Sequence, residues 1–343
     1  MKALNFLGSG KLVVVEVPDP KPGPEEVVVR VQTAAVCGTD LHLLKRPEAE
    51  QYWINGRRVV PGHEPVGIVV QVGMGIQSVR PGERVLVYGL ASCGRCKWCR
   101  SGYLVHCKQL KGMGRDWDGG DAEYILAPAR NCIKLPDYFP FEVASTLACA
   151  GITAYQSAKD LRLSGLDTLA IFGLGPVGLC AAIIARQMGA DVLGVDIRGE
   201  RIKLAASLGF EVIINANETD PVEAIRDFTR GEGVSAAMEC VGSTMTQKEM
   251  LEVLAPLGRG IFVGLDAGPI TLNLESYIIN KQLTLTGAAA HKIDSMEELL
   301  AFTKVNKLSF EKIITHRFPL LEAEEAFRVA ATGTTGKVIL NIH

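Results

Sequence analysis

The arrangement of apolar and polar positions divides the chain into two kinds of sequence. From residue 1 to about 150 the apolar residues come in short β-branched runs. Val27-Val28-Val29-Arg30-Val31 and Ile68-Val69-Val70-Gln71-Val72 are examples, and Gly73, Gly75, Pro81-Gly82 and Gly119-Gly120 break them up. Runs of this length between turn residues predict a domain of short strands. Residues 140–160 turn helical, with Ala-rich segments on both sides of Gly151. Near residue 165 the pattern changes. Residues 168–172 predict a buried strand, Gly173-Leu-Gly-Pro-Val-Gly178 a turn, the apolar stretch to about Gly189 a helix, and residues 191–196 a second strand. Further strands are expected at 211–214, 235–240, 260–264 and 283–286, with helical segments between most of them. Such alternation implies a doubly wound parallel sheet. The final stretch reads as helix, loop and strand and is expected to rejoin the first domain. The expected division is therefore 1–150 with 288–343, and 151–287. No internal repeat or low-complexity tract interrupts it.

Composition narrows the function classes. A length of 343 residues calls for about two domains. The net charge of −2 gives no basic footprint for nucleic acid. No apolar stretch approaches the roughly 20 residues that span a bilayer. Residues 1–10 lead into Val13-Val14-Val15 and the extended run Pro18, Pro20, Pro22 and Pro24, which has no secretory-leader pattern. The expectation is a cytoplasmic protein with neither a membrane nor a nucleic-acid partner.

The nine cysteines are informative because four of them fall in one fifteen-residue stretch, Cys93-x2-Cys96-x2-Cys99-x7-Cys107. Clustered cysteines in a large chain without an export signal are more often metal ligands than disulfides. Four thiolates make a closed tetrahedral zinc site, which leaves no open position and is structural. His106 is superfluous to such a site and reads as a solvated loop residue. A second set is scattered: Cys37 in Cys37-Gly-Thr-Asp-Leu-His42, His63 and Glu64 in Gly62-His-Glu64, and Cys149. Two cysteines and a histidine with a fourth position open are a catalytic zinc pattern. Spacing alone does not show that they meet. Singly, each has a plainer reading as a small buried residue or a satisfied imidazole.

Gly173-x-Gly175-x-x-Gly178 directly follows a predicted strand and opens a predicted helix, with Pro176 and Val177 inside the motif. In that context it predicts a pyrophosphate cradle at a helix N-terminus. Asp196 ends the next strand at the distance expected of a ribose-binding carboxylate, which favours NAD over NADP. Arg198 and Arg201 pull the other way, since either can pair with a phosphate.

Taken together, these motifs resemble the zinc-containing medium-chain dehydrogenase/reductase family, the alcohol, sorbitol and threonine dehydrogenase group. The resemblance runs from about residue 2 to the C-terminus, with the motifs in the family's order. It implies a GroES-like β-rich catalytic domain and a Rossmann-type domain, with NAD and two zinc ions, one catalytic and one structural. It makes Cys37, His63 and Cys149 the catalytic zinc ligands and Glu64 an occasional one. Asp40 becomes the partner of His63, Thr39 the hydroxyl that takes the substrate proton, and His42 the far end of the relay. Thr153, Val241, Val263, Gly264 and Leu265 are implied at the nicotinamide, Arg201 at the cofactor, and Lys337 at the pyrophosphate. Cys149 stands where many polyol dehydrogenases of the family carry Glu, and this leans towards alcohol dehydrogenases. Asp121 departs from the aromatic or apolar residue usual after Gly119-Gly120. Tyr52, Trp53, Arg115 and Trp117 either line a substrate pocket or pack a loop or subunit contact. The implied activity is hydride transfer between NAD and a small alcohol or carbonyl substrate, a secondary alcohol or polyol being favoured. The implied assembly is a homo-oligomer, a tetramer rather than a dimer, paired through sheet edges at 259–286. A zinc-free reductase would lack Cys37, His63 and Cys149, and a non-catalytic scaffold would have lost a ligand or the relay. Cys132, Cys180, Cys240, Met113, Met238, His291, His316 and His343 show no ligand pattern.

Overall fold

The computed structural model describes residues 1–265, 268–288 and 292–343. His291 lies outside them. The chain forms two compact units, residues 1–149 with 292–301 and 314–343, and residues 150–291 with 302–313. The expected division is corrected at 302–313, which belongs with the second unit. There the Phe302 and Tyr155 rings meet at a tilt with centroids 5.4 Å apart, and Asn306 accepts a hydrogen bond from Gln187.

The first unit is organised by the strand Glu26–Val36, whose Val27, Val29 and Val31 are completely buried. Its alternating valines face a core that includes Val69, Val85, Val87, Met113 and Ile125. On one side it pairs antiparallel with Val66–Val72, with Thr33 opposite Val66. On the other it pairs antiparallel with Lys337–Asn341, with Val338 opposite Val36. The C-terminal strand therefore lies inside the sheet, between Glu26–Val36 and Ile314–Pro319. Phe141–Thr146 is helical and packs on the central strand, and it leads into a π-helical turn, Leu147–Gly151.

The second unit is a six-stranded, all-parallel sheet in the order Val212–Asn215, Asp191–Asp196, Thr168–Phe172, Val234–Glu239, Leu254–Phe262, Thr284–Gly287. Strand order reverses between Thr168–Phe172 and Val234–Glu239. This is the switch point at which open α/β sheets bind ligands. Strands buried on both faces explain the continuous apolar runs that made this half legible. Among the described residues no helix is long and apolar enough to cross a membrane.

Candidate metal centres and nucleotide cradle

Strand register assembles the first site. Because Thr33 faces Val66, the residues following Val36 meet those preceding Val66, which brings Cys37 to His63 and Glu64. Cys149 arrives on the π-helical turn, a local widening often found at functional sites. The donor atoms of Cys37, His63, Glu64 and Cys149 all lie within 4.8 Å of one another, and the two sulfurs are 3.9 Å apart. A zinc–sulfur tetrahedron with bonds near 2.3 Å has edges of about 3.8 Å, so the spacing suits the ion. Two thiolates and an imidazole are also the softness zinc prefers.

Cys37 is the extended residue that starts the helix Gly38–Lys45, and Asp40 lies in its first turn. Asp40 is buried. Its Oδ2 accepts from the Cys37 N–H at 2.9 Å and its Oδ1 from His63 Nδ1 at 3.1 Å. With Nδ1 committed, Nε2 is left to face a metal. Thr39 and His42 stand one turn apart on the exposed side of the same helix. Contact with the Cys149 thiol, and then the charge of His63, holds the Cys37 thiol well below its usual range. The same contact pushes Cys149 up, so one of the two sulfurs is the ready thiolate.

Sequence reasoning missed what confines Glu64. Glu64 is completely buried, and its Oε1 meets Lys337 Nζ at 2.7 Å. Burial pushes the Glu64 carboxyl up to about 8, and the Lys337 charge opposes the shift. Lys337, which the resemblance implies at the pyrophosphate, is buried in the first unit. Its register opposite Cys37 points the ammonium into the first unit, where it is buried and spent on Glu64. No signal in sequence spacing could have joined two residues 273 positions apart. Ser145 was missed too: its hydroxyl donates to the Glu64 carbonyl at 2.7 Å, tying the helix that carries Cys149 to the other ligands.

The Gly62-His63 turn is clamped by the Gly119–Asp121 segment. Gly120 N–H donates to Gly62 O at 2.9 Å and Asp121 N–H to Pro61 O at 3.1 Å. Gly62 has a φ of +90°, and a Cβ there would strike Asp121 Oδ1 at 2.3 Å. Asp121 itself is buried; burial and then the Asp40 charge push its carboxyl well up.

The second cluster joins Cys93, Cys96, Cys99 and Cys107, again with all ligand atoms within 4.8 Å. The Cys93–Cys99 and Cys96–Cys99 sulfurs are 3.8 and 3.4 Å apart. Backbone N–H groups point at the sulfurs, Cys96 N to Cys93 Sγ at 3.4 Å and Gln109 N to Cys107 Sγ at 3.4 Å. Such donors, those of Arg95 and Cys96 foremost, pull the Cys93 thiol down to about 6. A thiolate already favoured at Cys93 before a metal binds suits a closed structural site. The His106 ring lies against Trp98 at a tilt, with centroids 5.2 Å apart.

In the second unit Gly173 takes a φ of +95° after Phe172, and the helix Pro176–Gln187 begins behind Gly175. A Cβ on Gly178 would fall 1.9 Å from Gly173 O, so the helix approaches the turn as a pyrophosphate cradle requires. Asp196 is buried at the end of its strand. Its Oδ2 accepts from Leu174 N–H at 2.7 Å and its Oδ1 from Arg198 N–H at 2.8 Å. Arg201 lies 3.8 Å from Asp196 Oδ2.

Tyr52, Trp53, Arg115 and Trp117 are engaged locally. Arg46 donates to the Tyr52 hydroxyl at 3.0 Å, Arg58 lies 4.7 Å over the Trp53 ring, Arg115 pairs with Asp116, and Trp117 packs on the core of the first unit. A cavity of about 990 Å³ lined by Ile54, Arg57 and Trp117 contains none of the four catalytic-cluster residues.

Comparison with known proteins agrees with this geometry. Residues 23–137 match the model of the alcohol dehydrogenase GroES-like domain and residues 176–304 that of the zinc-binding dehydrogenase domain. L-threonine 3-dehydrogenase of Coxiella burnetii is 34% identical over 328 residues, covering 94% of each chain. The alcohol dehydrogenase of Thermus sp. ATN1 superposes with a TM-score of 0.89 at 33% identity over the whole of both chains. An Escherichia coli CFT073 alcohol dehydrogenase solved with NADH superposes with a TM-score of 0.89 at 26% identity, covering 100% of this chain and 99% of that one. With both domain models matched and full-length relatives above 30% identity, the chain belongs to the zinc-binding medium-chain alcohol dehydrogenase family.

Proposed function

We propose that the protein oxidises a secondary alcohol or polyol with NAD, or reduces the corresponding carbonyl. The observation that carries this reading is the convergence of Cys37, His63 and Cys149, three zinc donors that leave a fourth metal position for substrate oxygen, beside a Glu64 whose Oε1 is paired with Lys337. Zinc bound there supplies a Lewis acid that makes a substrate hydroxyl more acidic, and NAD supplies the hydride acceptor. The chain's own residues do the rest. Asp40 fixes the His63 ring. Thr39 accepts the hydroxyl proton and His42 passes it to solvent, as their shared exposed helix face allows. Gly175, Val177 and Gly178 present backbone N–H groups to the pyrophosphate, while Gly173 makes the tight turn and Pro176, which has no N–H, starts the helix. Thr153, Val241, Val263 and Leu265 pack the nicotinamide. Asp196 keeps lone pairs for ribose hydroxyls, and its charge disfavours the extra phosphate of NADP, with Arg201 beside it. Two thiolate clusters work only where thiols stay reduced, which supports a cytoplasmic setting.

The name of the Coxiella burnetii relative favours a second reading, threonine as substrate. NADH formation by the zinc-loaded protein over primary alcohols, secondary alcohols, diols, polyols and threonine, with NADP in parallel, separates the two. Turnover of secondary alcohols or polyols with NAD is expected. Turnover of threonine alone would install the second reading, NADP dependence would hand cofactor choice to Arg198 or Arg201, and silence at full zinc occupancy would defeat both.

We also infer a homotetramer in which nucleotide-binding units pair through the outermost strand, Thr284–Gly287. That edge is flanked by exposed Leu257, Leu274 and Ile279, and an unpaired edge beside apolar side chains calls for covering. Sedimentation velocity is expected to give a tetramer for the wild type and smaller species for Ile279→Asp. A monomeric wild type would refute the pairing.

A further inference from the structure

The strand Val234–Glu239 ends in a carboxylate that the chemistry above does not use. Glu239 is completely buried. Its Oε1 accepts three hydrogen bonds, each of 2.8 Å, from Val241 N–H, Gly242 N–H and the Thr246 hydroxyl. The two N–H donors are consecutive and Gly242 has a φ of +79°, so the chain wraps its own carboxylate oxygen in an anion-binding nest. The Glu239 carbonyl meanwhile accepts from Val263 N–H at 2.8 Å and Gly264 N–H at 2.9 Å. One residue thus grips the ends of two neighbouring strands.

The packing around it leaves no slack. A Cβ on Gly242 would lie 2.0 Å from Leu265 O, and one on Gly264 would lie 2.0 Å from Gly242 N. A Cβ on Gly173 would lie 2.7 Å from Val241 Cγ2. The Cys240–Gly242 turn is therefore wedged between the glycine turn and residues 263–265, where strand order reverses. Glu239 Oε2 is buried with no hydrogen-bond partner. An unmet carboxylate oxygen is costly, and Ser or Asn would cap such a turn more cheaply. What the carboxylate adds is charge-assisted strength, and hence a fixed position.

We propose that Glu239 is a positioning residue for the nicotinamide end of the cofactor. It holds Val241 and residues 263–265 at the spacing that seats the ring. This rests on the reading above that those residues pack the nicotinamide. The ADP-ribose end, served by Gly175, Asp196 and Arg201, does not depend on it.

Calorimetric titration of the metal-loaded wild type, Glu239→Gln and Thr246→Val with NAD and with ADP-ribose, which lacks the nicotinamide, tests the assignment. Glu239→Gln is expected to weaken NAD about tenfold, and Thr246→Val, which removes one donor of three and no charge, about threefold, with ADP-ribose within about twofold in both. KM for NAD should rise by more than kcat falls. Equal losses for the two ligands would mean a merely structural clasp and overturn the proposal, as would no loss at all. If Glu239→Gln does not fold, Thr246→Val carries the test. A wild type that binds neither ligand overturns the nucleotide reading and this proposal together, and is told apart because the unaltered protein itself fails.

Discussion

Cys149→Ala is expected to lower kcat/KM for the preferred alcohol about a thousandfold while leaving the fold intact, because a metal acting as Lewis acid supplies several kcal/mol of transition-state stabilisation. The substitution is sterically mild. It removes one sulfur from a π-helical turn whose backbone does not depend on that side chain. The remaining strong donors are Cys37 and His63; Glu64 offers only Oε2, since its Oε1 is held by Lys337. Two protein ligands do not retain zinc against competition. Metal analysis should therefore fall from two equivalents per chain to one, matching the two clusters. Melting temperature should change little, because a Cys to Ala change here opens only a small gap. Retention of both equivalents with full activity would show that Cys149 is not a ligand and that the open position has been misassigned.

Cys99→Ser is expected to do the reverse. Cys99 Sγ lies within 3.4 to 3.8 Å of Cys96 and Cys93 sulfurs, so its loss opens the closed set of four. The lobe has little apolar filling of its own: of its ligands only Cys107 is buried. Metal binding is thus its folding energy. The expected cost is about 3–5 kcal/mol, or roughly 10 °C in melting temperature for a chain of this size. Trypsin should then cut quickly at exposed Lys97, Arg100 and Lys108. Molecules that remain folded should keep kcat within about twofold, because the catalytic cluster draws none of its ligands from the lobe. Unchanged melting and protease resistance would show that the four cysteines do not bind a metal that matters for folding.

The contrast between these variants reflects what the sequence could say. The lobe was legible because its four ligands sit within one short stretch. The parallel sheet was legible because strands buried on both faces write continuous apolar runs: the expected strands 168–172 and 191–196 coincide with Thr168–Phe172 and Asp191–Asp196. The catalytic set was a list of residue types whose meeting depended on the Thr33–Val66 register, and a one-residue slip would have undone it. The Lys337–Glu64 pair was hidden for the same reason. A lysine near the end of a chain says nothing of which strand lies beside it, and only pairing next to Val36 sets its ammonium against Glu64. The helix and loop at 302–313 were assigned to the wrong unit because their partners, Tyr155 and Gln187, lie far back in the sequence.

The interior position of the strand Lys337–Asn341 has a consequence for biosynthesis. A chain leaving the ribosome exposes Cys37, His63, Glu64 and Cys149 well before Lys337. At about 5–20 residues per second the interval is roughly ten to forty seconds, during which the whole nucleotide-binding sheet is made. Throughout that interval residues 33–36 of the strand Glu26–Val36 lack their partner on one side, and Glu64 lacks its counter-charge. The four-cysteine lobe needs no such delay, since its ligands emerge together and close only a short loop. The two metal centres of one subunit therefore reach their final surroundings at different times, the structural one as soon as its lobe has emerged and the catalytic one only once Lys337 has.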